Sequence, residues 1–118
     1  MAAATPVGSS GLRGAVAADA AGFAYDYYLQ LVRERIGGLW TPPNGLAPGG
    51  EPLRTVVYFR IGRDGQVSGM RLESASGVEF FDRSALRAVL LASPLPPLPL
   101  GYASGDLGVH FGFEYVAP

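Results

Sequence analysis

Cysteine and lysine are both absent from this 118-residue chain. Without cysteine there is no disulfide, no thiolate chemistry and no Cys-type zinc site, although the absence does not decide the compartment. All nine basic side chains are arginine, and ten acids offset them to a net charge of −1. That balance leaves no electrostatic footprint for nucleic acid or anionic lipid. Alanine, glycine, proline and leucine are also abundant, so the arginine-only usage reads as genomic base composition and not as a phosphate-binding device. No run approaches the ~18 apolar residues of a membrane helix. Met1–Ser10 lacks the basic n-region and leucine-rich h-region of a signal peptide; if the protein reaches the periplasm, its export or anchoring segment is expected to lie outside the sequence given. What is present is enough for one globular domain with one core, at 48% hydrophobic and 16% charged residues.

Residues 1–21 are mostly alanine, glycine and serine, and are expected to be a flexible tail or linker end; 22–118 are expected to form the domain. Phe23–Trp40 places Tyr25, Tyr28, Leu29, Val32, Ile36 and Leu39 at helical spacing. Gly37-Gly38 and Pro42-Pro43 stop that helix, and a Gly/Pro loop runs from Asn44 to Pro52. Leu53–Ile61 alternates, with Thr55, Val57, Phe59 and Ile61 on one face and Arg54, Val56, Tyr58 and Arg60 on the other. Asp64-Gly65 is a strong hairpin signal. In the returning strand, Val67–Ser74, Val67 is odd while Met70 and Leu72 are even, so a β-bulge near Ser68-Gly69 is expected. A second helix is expected over Glu79–Ala92, with Phe81, Ala85, Ala88, Val89 and Ala92 buried. Asp82 and Glu79 suit its N-terminus, and Glu79 can pair with Arg83. Four prolines from Pro94 to Pro99 end the helix, and Leu107–Tyr115 alternates as a last strand.

The element order is α-β-β-α-β, an α+β fold. The second helix is long enough to cross the sheet. The expected sheet is therefore three-stranded and antiparallel, in spatial order 2-1-3, with both helices on one face and the last strand at an open edge.

That order resembles the C-terminal domain family of TonB and TolA. The residues that carry the resemblance are Val57-x-Phe59-x-Ile61-x-x-Asp64-Gly65-x-Val67, then Ser76-Gly77, then Phe81-Asp82-x-x-Ala85-Leu86-x-Ala88-Val89-x-x-Ala92, then Leu95-Pro96-Pro97-Leu98-Pro99. Tyr28, Val32, Ile36 and Trp40-x-Pro42 precede them at the family's helix boundary. Asp-Gly hairpins and proline-rich loops are common singly; the order and spacing of five such pieces is what is specific.

The resemblance implies a periplasmic domain of a protein anchored in the inner membrane. Such proteins couple a proton-driven motor to the outer membrane. The terminal domain grips a TonB-dependent outer-membrane transporter through a short peptide segment or, in the TolA branch, a Tol-Pal component. Motor subunits would be met through an N-terminal part not in this sequence. The long first helix ending at Trp40 looks TolA-like; the hairpin, the Leu95–Pro99 run and the lack of the cysteine pair found in many TolA domains favour the TonB-like branch.

The resemblance and the expected open edge together make Leu107, Gly108, Val109, His110, Phe111, Gly112, Phe113, Glu114 and Tyr115 the candidate partner-binding strand, by addition of an extended peptide. Gly108 and Gly112 either permit close backbone approach or make room for Tyr58 or Arg60 across the sheet; the resemblance favours the first. Leu39, Trp40, Thr41, Pro42 and Pro43 form a secondary candidate. His110, the sole histidine, is read as a surface residue on the polar face, with no nucleophile or ligand near it in sequence. Glu114 is expected to pair with Arg54 or Arg60 across the sheet. The prolines are read as fixing a path for Leu95, Leu98 and Leu100 against the core and not as a ligand for an SH3-like groove. Val56 and Tyr58 are read as ordinary exposed β-formers, with a weak homodimer contact or a partner surface as the alternatives. No metal site, cofactor or enzymatic activity is expected, since no nucleophile–base pair, metal cluster or cofactor motif is present.

Overall fold

The computed structural model describes residues 12–18, 25–41 and 52–115. Six elements follow in order: β1 (Leu12–Ala18), α1 (Asp26–Leu39), β2 (Leu53–Gly62), β3 (Val67–Ser74), α2 (Glu79–Ala92) and β4 (Asp106–Tyr115). The sheet has four strands in order β1-β4-β2-β3, every neighbouring pair antiparallel. This corrects the expected three-stranded 2-1-3 sheet. The added strand comes from the stretch expected to be a flexible tail, of which residues 1–11 and 19–21 lie outside the described residues. It lies along the side of β4 that was expected to be open. The cause is backbone chemistry: an edge strand presents unpaired N–H and C=O groups, and any extended segment within reach satisfies them.

Alternation decides which faces are buried. Thr55, Val57, Phe59 and Ile61 of β2 and Leu107, Val109, Phe111 and Phe113 of β4 all point into the core. Against them lie Tyr28, Leu29, Val32 and Ile36 from α1, and Phe81, Ala85, Ala88, Val89 and Ala92 from α2, so both helices share one core with the sheet. Leu39, assigned to the α1 stripe, is instead 36% exposed. The α2 C-terminus has no basic residue in its last turn; Arg35 of α1 supplies one by donating from Nε to the Ala92 carbonyl at 2.9 Å.

The bulge falls close to where parity requires it. Tyr58 faces Arg71 while Arg60 faces Ser68, so Gly69 and Met70 together oppose Phe59. Gly69 has φ +59°, and both Val67 and Met70 pack against the core. A second irregularity lies opposite Val56/Val57; Leu72 stands opposite the buried Val57 in register but is 38% exposed, so it contributes little to the core.

The β2–β3 hairpin does not end in solvent. Gly65, at φ +92°, accepts from the Leu95 N–H at 2.8 Å, and Arg63 O accepts from the Leu98 N–H at 3.1 Å. Arg63 Nη1 donates to Pro99 O at 2.9 Å, and Nη2 to the Tyr102 and Ser104 carbonyls. Leu95 and Leu98 are buried, so the proline-rich run is part of the core wall; Leu100, expected with them, is fully exposed.

Tyr28 joins the same wall from α1, its hydroxyl donating to Pro96 O at 2.7 Å. Burial, with the neighbouring Tyr27 as a smaller cause, pushes its phenol from 10.0 up to about 12. The fold thus favours the protonated phenol: this contribution is intact below pH 10 and is lost as pH rises through 12. Ultraviolet titration should show one tyrosine ionising near pH 12, and Tyr28→Phe should remove that transition.

Candidate partner-binding edge

β4 is, with β2, one of the two long interior strands of the sheet. It pairs with β2 from Leu53↔Tyr115 to Gly62↔Asp106, and on its other side with β1 from Leu12↔Tyr115 to Ala18↔Val109. The strand nominated from sequence as an open edge is therefore interior. Its odd residues Leu107, Val109, Phe111 and Phe113 are buried, and Tyr115 is half-buried against the core. Its backbone is paired on both sides, with β2 and with β1.

The even residues face the opposite side of the sheet, where a polar ladder covers them. Gly108 lies beneath Tyr58: a Cβ there would sit 2.4 Å from the Tyr58 hydroxyl and 3.2 Å from Arg60 Nη1. Gly108 thus makes room for Tyr58 and Arg60. Tyr58 Oη accepts from Arg60 Nη1 at 2.7 Å, and Arg71 sits over the Tyr58 ring at 4.5 Å from its centroid. The His110 ring lies 4.9 Å from that of Tyr58, and its Nδ1 meets the Glu73 carboxylate. Arg60 holds Asp106 in a two-pronged pair, Nε to Oδ2 at 2.9 Å and Nη2 to Oδ1 at 2.6 Å. The hydrogen bond to Asp106, then that to Tyr58, raises the Arg60 guanidinium further above its usual range, and Arg60 holds the Asp106 carboxyl below its own. Arg60 therefore pairs with Asp106 in place of the expected Glu114; Glu114 stands opposite Arg54 in register. Tyr58, weighed as a dimer contact, is occupied within the chain.

The secondary candidate separates. Trp40 is buried, donating from Nε1 to Ser84 Oγ at 3.1 Å and meeting Phe81 and Phe113 edge-on at 5.7 and 4.9 Å. It closes the core and offers no free ring. Leu39 and Thr41 are exposed, while Pro42 and Pro43 lie outside the described residues.

Two features escaped the sequence. Val16, in the middle of β1, is 2% exposed and belongs to the core; one valine among alanines gives no periodic signal. Asp82, expected as a helix N-terminal charge, is buried and accepts from the Thr55 hydroxyl and from the Ser76 N–H at 3.0 Å. It ties β2, the β3–α2 connection and α2 together. The available clue was Thr55, the one polar side chain on the inward face of β2.

Among the described residues no group of three His, Cys, Asp or Glu converges to hold a metal ion, and no helix is long and apolar enough to cross a membrane. Compared with known families, residues 25–113 match the one described as TonB C terminal. The chain belongs to the TonB C-terminal family. Neither the curated proteins nor the solved structures compared with it gave a match. The TonB match begins at Tyr25, so it takes in α1 through most of β4 and leaves out β1. Within the matched TonB segment alone, β4 ends the sheet.

Proposed function

We propose that this domain is the partner-gripping end of a TonB-like energy transducer in the periplasm, and that it works by binding alone. It holds an extended segment of an outer-membrane transporter as an added strand along β4, so that force generated by proton-driven motor subunits at the inner membrane reaches the transporter. One observation carries the proposal. The backbone of β4 opposite β2 already supports a seven-pair antiparallel ladder, Leu12↔Tyr115 to Ala18↔Val109, with a strand from outside the family match. A ladder pulled along its length loads its hydrogen bonds together, a suitable grip for a mechanical linker.

Backbone recognition has a signature on the ligand's side. Labelled peptides from the N-terminal segments of outer-membrane transporters should bind in an anisotropy titration. N-methylation of alternate peptide residues should weaken binding for one parity only. Two lost bonds at roughly 0.5–1.5 kcal/mol each predict about tenfold or more. His110→Ala should change affinity by less than about threefold, since that side chain lies off the pairing edge. If both methylated series bind as well as the parent peptide, the partner docks by side chains elsewhere, and the exposed Leu39 and Thr41, on either side of the buried Trp40, become the place to look.

A further inference from the structure

We infer that β1 is a displaceable internal occupant of the partner's place on β4, and that the strand replacing it carries an aliphatic side chain into the position of Val16. The inference rests on the reading that the partner pairs with β4. Three observations lead to it. β1 lies at the end of the sheet and is paired on one side only, whereas β4 is held by β2 over its whole length, from Tyr115 to Asp106. Among the β1 side chains described, Val16 alone is in the core, with Ala18 packed at its border and Ala17 half-buried. Gly14, Ala15, Ala17 and Ala18 are residue types depleted in strands, so little local preference holds β1 extended. Segments with few buried apolar contacts are the ones that open locally while the rest of a domain stays folded. The family match adds that the TonB core is defined without this segment.

The consequence is competition. A tethered strand acts at an effective concentration of about millimolar, so a partner of modest affinity meets a closed edge and a stronger one opens it. Val16 also specifies the ligand. It stands opposite Phe111 in register and is buried beside it. A partner strand with a charged residue at this register would bury an unpaired charge, and one with glycine would leave a void. The surface therefore fits an extended segment with one valine- or isoleucine-like residue flanked by small ones.

Two full-length variants test this with one defined probe, a labelled synthetic peptide of residues 10–20 of this chain. In Val16→Glu, β1 is loosened, and the peptide should bind at least tenfold more tightly than to the wild type. In Ala17→Cys/His110→Cys the two thiols stand at partnered positions, and no other cysteine competes. Oxidation should lower peptide affinity at least tenfold, and reduction of the same sample should restore it. The redox pair does not depend on whether Val16→Glu folds. Equal binding by the oxidised and reduced forms overturns the inference. The same pair tried with transporter peptides separates the two proposals. If the chain's own strand binds as described and no transporter peptide does, the role of β1 stands and the transporter as partner falls. If transporter peptides bind the oxidised and reduced forms alike, they dock away from β4 and β1 does not regulate them.

Discussion

A Gly65→Ala chain is expected to lose about 3 kcal/mol or more of folding stability, a large share of what a domain of this size possesses. Two independent effects converge on this residue. Its φ of +92° lies where a side chain is strained, and an added Cβ would stand 1.9 Å from the Leu95 carbonyl oxygen and 2.8 Å from its carbon. Those are backbone atoms, which no rotamer change can move aside. The hairpin would have to lift from the proline-rich run, giving up the Leu95–Gly65 and Leu98–Arg63 hydrogen bonds and the Arg63 contact to Pro99. Chemical denaturation of the wild type and the variant measures the loss. Gly62→Ala is the control: its Cβ would meet the Asp64 Oδ1 atom at 3.2 Å, a side-chain atom that can turn away, so less than about 1 kcal/mol is expected. A Gly65→Ala loss as small as that of the control would mean that hairpin and proline run are not rigidly docked.

Replacing Asp82 with alanine is expected to cost roughly 3 kcal/mol. Asp82 is buried at the start of α2, and its carboxylate takes the hydrogen of a fully buried hydroxyl, Thr55, as well as the Ser76 N–H. Removing it orphans the fully buried Thr55 hydroxyl and takes the acceptor from the half-buried Ser76 N–H. The cost of such a deletion comes mainly from the orphaned partners, and this gives the test its discriminating arm. Thr55→Val in the Asp82→Ala background removes one orphan, so the double variant should be more stable than the sum of the single losses predicts. Strict additivity in denaturation midpoints would show that Asp82 acts through the helix terminus alone, as a charge near the dipole.

The same residue shows where sequence reasoning runs out. An aspartate in the first turn of a helix suits the dipole whether it faces solvent or core, and only the packing of α2 across β2 brings Asp82 to Thr55. Gly108 is a similar case. In sequence it is equally a gap for a partner's backbone and a gap for a neighbour's ring, and the approach of Tyr58 from β2 decides between them.

What the sequence by itself determined was everything with a short period or a local steric rule. Alternation in β2 and β4 placed Val57, Phe59, Ile61, Val109 and Phe111 in the core, helical spacing marked the buried stripe of α2, and a parity conflict between Val67 and Met70 located the bulge at Gly69. These depend on side chains that repeat every two or 3.6 residues, or on a conformation only glycine adopts readily, and all are written within about a dozen residues. The place of Leu12–Ala18 was decided by tertiary structure alone. Five of its seven residues are glycine, alanine or valine, Val16 is the one core residue among its described side chains, and its partners on β4 lie roughly ninety to a hundred positions away in the chain. Strand pairing is made by backbone groups that every residue carries, so the affinity of a weak strand for a distant edge leaves little trace in its own sequence.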